Sequence, residues 1–135
     1  MADQALELKM KEFKLALLRL EEILRIRKSK INRDSAITRF AFSYELAWKT
    51  SKEFLRRFYD LEVASPRECF KELRRQGILT DQETETALAM IADRNLAAHT
   101  YNQKFADELY DSIKKKYFVW LNNLSHKIHS AVNAK

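Results

Sequence analysis

Three polar side chains near the end of a helical segment have the types and the spacing to act on a phosphate group. They are Arg94, His99 and Tyr101, which lie within residues 93–101. A guanidinium can hold a phosphate through two parallel hydrogen bonds. An imidazole can transfer protons near neutral pH, and a tyrosine hydroxyl can bind a ligand or be modified. Together these groups suit phosphodiester chemistry that needs no metal ion.

The spacing of Arg94 and His99 sets a condition on any joint action. Five residues subtend about 140° on an ideal helix, so the two side chains do not point the same way. We expect them to converge if the helix ends or bends before His99, or if they meet across two copies of the chain. The alternative to catalysis is a salt bridge of Asp93 or Arg94 at the helix end.

The remaining histidines and the cysteine offer weaker signals. His126 and His129 lie three residues apart and can share a helix face, which is a spacing that paired metal ligands use. No third ligand lies near them in sequence, and a cationic histidine near a helix C-terminus is favoured electrostatically. We predict no metal site and no cofactor. Cys69 is the single cysteine, so an intrachain disulfide and a zinc–thiolate cluster are excluded.

The elements that must position these residues are helices. Apolar residues recur in steps of three and four over segments of about 3–28, 33–60, 80–99 and 103–132. Asn32 or Asp34 can cap the second helix. A short helix follows between the start signal Ser65-Pro66-Arg67-Glu68 and Gly77. We predict an all-α, up-down helical bundle of four main helices plus one short helix, in a single domain over residues 1–135.

Composition narrows the function classes. The chain has one glycine and one proline in 135 residues, which excludes a glycine-rich phosphate loop and a nucleophile elbow. The net charge of +6 favours an anionic partner such as nucleic acid, a nucleotide or an acidic protein. No membrane-spanning stretch or signal peptide is recognisable, and we expect a cytoplasmic protein.

Four blocks of the chain resemble one protein family. Arg94-x4-His99-x-Tyr101 resembles the Arg-x4-His-x-Tyr motif of the HEPN superfamily, specifically its HepT-type proteins. Residues 39–50 resemble the second helix of the nucleotidyltransferase substrate-binding proteins, and residues 65–72 resemble the start of their third helix. Residues 91–96 lead into the motif in the same way. The blocks stand in the same order, and the likeness covers nearly the whole chain.

The resemblance implies a helical homodimer whose partner is a separately encoded nucleotidyltransferase of the MntA type. In one description the bundle is a metal-independent ribonuclease toxin and the partner is its antitoxin. Arg94 and His99 would then be the catalytic pair that cleaves RNA, with Asp93 in support. Tyr101 would be the modification site, where AMP transfer from the partner silences the nuclease.

Two alternatives stay open. In the older description of the family, the bundle is the non-catalytic substrate-binding subunit of a two-component nucleotidyltransferase. The third alternative is a purely structural interaction bundle, for which alanine at all three motif positions would change nothing.

Overall fold

The computed structural model describes residues 3–100 and 102–134, and the described residues form helices without a strand. The π-helical turn Ile113–Tyr117 joins the last two helices into one continuous rod. The predicted bundle of four long rods and one short helix is therefore confirmed. The helices are α1 (Gln4–Arg25), α2 (Lys30–Tyr59), α3 (Pro66–Arg75), α4 (Asp81–His99), α5 (Gln103–Ser112) and α6 (Phe118–Asn133).

Polar caps start most of these helices. The Asp3 carboxylate accepts from the backbone N–H of Ala5 at 2.9 Å and begins α1. The predicted caps of α2 are wrong: Asn32 and Asp34 lie inside the helix, and the Ser29 hydroxyl oxygen accepts from the N–H of Asn32 at 3.1 Å. The helix therefore starts three residues earlier than the apolar pattern predicts.

Both ends of α3 lie where the start signal at Ser65 and the glycine at position 77 predict them. The Ser65 hydroxyl oxygen accepts from the N–H of Glu68, but the Glu68 carboxylate accepts from the N–H of Ala64, one residue before the cap. Gly77 has a φ of +79°, the left-handed conformation that suits glycine after a helix. The capping box of Thr80 and Glu83 is complete at the start of α4.

The aromatic residues of α2 form the centre of the core, as the helical spacing predicts. Phe40, Tyr44 and Phe54 are buried. The ring of Phe40 stacks on the ring of Tyr117 from the last rod, with centroids 5.6 Å apart. Phe42 is the exception, because it points outward and is 63% exposed. Three apolar residues of the first helical segment are also largely exposed: Leu15, Leu18 and Ile26.

Two connections of the chain lie at the same end of the bundle. Lys28, between α1 and α2, places its Nζ 3.1 Å from Oδ1 of Asp107 on α5. Arg33, in the first turns of α2, donates from Nη1 to the same oxygen at 3.2 Å. The α1–α2 connection therefore packs beside the start of α5, which follows the motif segment. Within the described residues, no helix is long and apolar enough to cross a membrane.

Candidate functional site

One uninterrupted helix carries Asp93, Arg94 and His99. α4 continues through His99, and Thr100 then adopts an extended conformation with φ −128° and ψ 122°. The first route to convergence, a helix that ends or bends before His99, therefore does not occur. Within one chain, Arg94 and His99 project about 140° apart around α4. Tyr101 lies outside the described residues.

Asp93 is held by a residue that sequence reasoning did not connect with it. The Tyr117 hydroxyl donates to Oδ2 of Asp93 at 2.6 Å. Burial raises the pKa of Tyr117 above its usual range, and the hydrogen bond and negative charge of Asp93 raise it further. Asp93 therefore ties α4 to the π-helical turn. The only signal in the sequence is the place of Tyr117 on the apolar face of the last helix.

Arg94 has a buried donor without a partner. Its side chain is partly buried, and its Nε atom has no hydrogen-bond acceptor among the described residues. Leaving a buried donor unpaired costs on the order of 1–3 kcal/mol, and more when the group is charged. The acceptors that best match a guanidinium are carboxylate and phosphate oxygens. Arg94 therefore has the chemistry of an anion-binding group.

The positive charge of Arg94 affects the pKa of Tyr44 on α2. Burial raises the pKa of Tyr44 to about 12, the charge of Glu45 adds to that rise, and the positive charge of Arg94 opposes it. Tyr44 is almost completely buried. The guanidinium of Arg94 therefore lies toward the α2 side of α4, where the core begins.

His99 lies on an exposed face of α4. Counting back from His99, Asn95 and Leu96 lie one turn away on the same side of the helix, and Ala92 lies two turns away. All four residues are exposed, and Leu96 keeps 48% of its surface accessible. The face combines a small residue, a large apolar residue and an imidazole, so another molecule can approach His99 closely.

The other candidate groups do not join this site. His126 and His129 line a cavity of about 380 Å³ between α1 and α6. In the described ranges, no group of three histidine, cysteine, aspartate or glutamate side chains is arranged to hold a metal ion. Burial raises the pKa of Cys69 to about 12, and its thiol donates to the carbonyl of Trp48. Cys69 is therefore a core residue with little thiolate at neutral pH.

Comparison with known proteins identifies the family. The family of nucleotidyltransferase substrate binding protein-like proteins matches residues 8–130. A crystal structure of a protein from Thermus thermophilus is 32% identical, with 86% of this chain and 98% of that chain covered and a TM-score of 0.81. No curated protein matches the sequence.

More distant solved structures share the fold. A tri-AMPylated HEPN toxin of Shewanella oneidensis, in complex with an MNT antitoxin, is 15% identical over 96% of this chain and 99% of that chain, with a TM-score of 0.77. A mutant of the MntA–HpeT toxin–antitoxin pair is 15% identical over 95% and 99%, with a TM-score of 0.78. The chain therefore belongs to the nucleotidyltransferase substrate binding protein-like family, and its helical fold is that of HEPN toxins found in complexes with MntA antitoxins.

Proposed function

We propose that this protein is a HepT-like, metal-independent endoribonuclease and the toxin subunit of a toxin–antitoxin pair. The observation that carries the proposal is the buried Nε of Arg94, which has no acceptor among the described residues. A phosphodiester oxygen is the acceptor that suits the guanidinium of this arginine. The exposed imidazole of His99 on the same helix supplies the proton-transfer group that cleavage requires.

The chemistry uses the ribose itself as the nucleophile. The 2′-hydroxyl oxygen attacks the adjacent phosphorus while the His99 imidazole accepts its proton. The bond from phosphorus to the 5′-oxygen breaks, and the imidazolium returns the proton to that leaving oxygen. Arg94 stabilises the charge that develops on the phosphoryl oxygens. The products are a 2′,3′-cyclic phosphate and a 5′-hydroxyl, and general acid–base help of this kind contributes about 10²- to 10⁴-fold in rate.

The site is composed of two copies of the chain. Because α4 is unbroken between Arg94 and His99, one chain cannot direct both side chains at one phosphate. A second copy that packs against this end of α4 is needed to bring its Arg94 toward the His99 of the first. The homodimer is thus a requirement of the chemistry.

The partner is a nucleotidyltransferase antitoxin of the MntA type, which silences the nuclease at Tyr101. The Tyr101 hydroxyl attacks the α-phosphorus of a nucleoside triphosphate, pyrophosphate leaves, and the hydroxyl proton passes to solvent. The added AMP places a negative phosphate two residues from His99, where it competes with RNA for Arg94. Intact mass after co-expression with the partner is expected to rise by one or more adenylate units, and Tyr101→Phe removes the rise.

The nuclease is tested with the bundle purified alone. Cleavage of RNA in EDTA is expected, with no cleavage of DNA, because DNA lacks the 2′-hydroxyl. Arg94→Ala and His99→Ala each abolish it. Cleavage that persists in both variants would refute the proposal. Lys71→Ala, which changes an exposed residue on a different helix, α3, is the matched control.

A second candidate function is a non-catalytic subunit that presents substrate to the nucleotidyltransferase. The description of the matched family favours it. It predicts that the purified bundle cleaves no RNA but changes the rate of the transferase on mixing. The EDTA assay separates the two functions, because only the nuclease makes cyclic phosphate ends without the partner.

A further inference from the structure

The bundle end that carries the motif also carries a strongly basic segment. Residues 25–33 span the end of α1, its connection to α2 and the first turn of α2, and they contain no carboxylate. We call this segment the basic connection. Its five cations are Arg25, Arg27, Lys28, Lys30 and Arg33.

Two of these cations anchor the basic connection to α5. Lys28 and Arg33 both contact Oδ1 of Asp107, and Arg33 is almost completely buried. Their hydrogen bonds hold the pKa of the Asp107 carboxyl below its usual range, so the anchor is charged at neutral pH. Asp107 lies one turn after Gln103, where α5 begins, and His99 lies four residues before Gln103. The anchor therefore places the basic connection beside the motif.

Three further cations at this end are exposed and have no ion-pair partner in the described part of the chain. Arg27 lies in the basic connection, Lys30 begins α2, and Lys104 lies in the first turn of α5. Arg25, by contrast, contacts Glu21 at 3.3 Å. Between Lys30 and the start of α5 lies a depression of about 290 Å³, lined by Lys28, Ser29, Lys30, Arg33, Gln103 and Asp107.

We propose that Arg27, Lys30 and Lys104 bind phosphates of single-stranded RNA next to the phosphate that is cleaved. The inference rests on the proposed nuclease function, and α5 begins only four residues after His99, so a strand held at His99 lies near Lys104. Lys30 lines the depression beside the start of α5, Arg27 precedes it in the basic connection, and Lys104 lies in the first turn of α5, so an extended polyanion suits the three better than a single anion. An acidic protein partner is the competing occupant, and the test below separates it from RNA.

The experiment measures binding without cleavage. A single-stranded oligonucleotide with 2′-O-methyl riboses is titrated with the protein across a range of salt concentrations, with fluorescence anisotropy as the readout. The test variant combines Arg27→Gln, Lys30→Gln and Lys104→Gln. The control combines Lys11→Gln, Arg67→Gln and Lys71→Gln, which removes one arginine and two lysines from exposed positions on α1 and α3.

The expected effect follows from counterion release. Each phosphate contact to a single strand contributes about 0.7 to the slope of log K against log salt, so the test variant loses roughly 2 from the slope. At about 0.15 M salt this corresponds to about fourfold in affinity for each cation, and roughly fifty-fold for the three. The control keeps the wild-type slope. Lys104→Gln alone is expected to lose about fourfold, so the test does not depend on the triple variant folding.

Several results would overturn the inference. They are an unchanged slope in the test variant, an equal loss in test and control, or, when the same variants are titrated with the nucleotidyltransferase partner, loss of partner binding while RNA binding is intact. The last result would assign the basic connection to an acidic protein. Cleavage assays separate this inference from the proposed function. If the test and control variants cleave RNA equally well, only the RNA-binding surface is refuted. If the test variant alone loses RNA binding but the wild-type protein cleaves no RNA, only the nuclease activity is refuted.

Discussion

A complementation experiment tests whether each site takes its arginine and its histidine from different copies. Arg94→Ala and His99→Ala chains are purified separately, unfolded together and refolded as a mixture. In a mixed dimer, one site lacks both groups and the other has both. The separate variants are inactive, and the mixture regains activity because the intact site uses Arg94 from one chain and His99 from the other.

The size of the recovered activity follows from random pairing of the two variant chains. Random pairing makes about half of the dimers mixed, and one of the two sites in each is intact, so the mixture reaches roughly a quarter of the wild-type rate. Each separate variant is expected to fall by about 10²-fold or more. The recovery is therefore at least about 25-fold above either variant alone.

The assay is cleavage of a fluorophore–quencher RNA in EDTA, at equal total protein concentration for the variants and their mixture. Mixing Arg94→Ala with a chain that carries both substitutions is the control, since no dimer in that mixture has an intact site. Absence of recovery in the first mixture, while wild-type protein refolded in the same way is active, would refute the shared site. It would mean that Arg94 and His99 act within one chain, despite their separation around the helix.

Three further predictions concern the contacts that hold the site. Tyr117→Phe leaves Asp93 without its hydrogen-bond donor and is expected to cost about 1–3 kcal/mol in urea unfolding, whereas Tyr59→Phe on the half-buried end of α2 should cost less. The stability that Tyr44 contributes should be constant below about pH 10 and be lost as pH rises through about 12, because the folded-state pKa of Tyr44 is raised to about 12; absorbance at 295 nm should show no ionisation of Tyr44 near pH 10, and ionisation at that pH in the folded protein would contradict the burial. Asp107→Asn should reduce the loss of stability below about pH 4, since the lowered pKa of Asp107 contributes stability that is lost as pH falls through its folded value; an unchanged acid transition would contradict the anchor.

The helices were predictable from the sequence where their position depends only on neighbouring residues, through apolar periodicity or a capping side chain. The four-three steps of α1 place Leu6, Phe13 and Leu17 in the core, and all three are buried. The capping box at Thr80 was also readable, because its partners lie within one helical turn. In contrast, the start of α2 was missed because charged residues around Ser29 hide the apolar period, although a serine side chain can cap a helix in any such context.

The contacts of the site were less predictable because they depend on register between distant elements. The hydrogen bond between Tyr117 and Asp93 joins residues 24 apart in sequence. It depends on the π-helical turn Ile113–Tyr117, which inserts extra backbone into the last rod and shifts every side chain after it. The apolar spacing of the last helix does not reveal that insertion, so neither the turn nor the partner of Asp93 was expected.

The scarcity of glycine bears directly on how the site is completed. Groups four residues apart on a helix share a face, but groups five apart do not. A chain that must direct Arg94 and His99 at one phosphate needs either a break between them or a second copy. The intervening residues, Asn95-Leu96-Ala97-Ala98, include no glycine or proline, and α4 continues through them. The break comes only at Thr100, after His99. A continuous helix of this kind favours a site assembled from two copies. Replacing Ala97 and Ala98 with glycine should loosen the helix that separates the two groups and so lower the cleavage activity that the mixed variants recover.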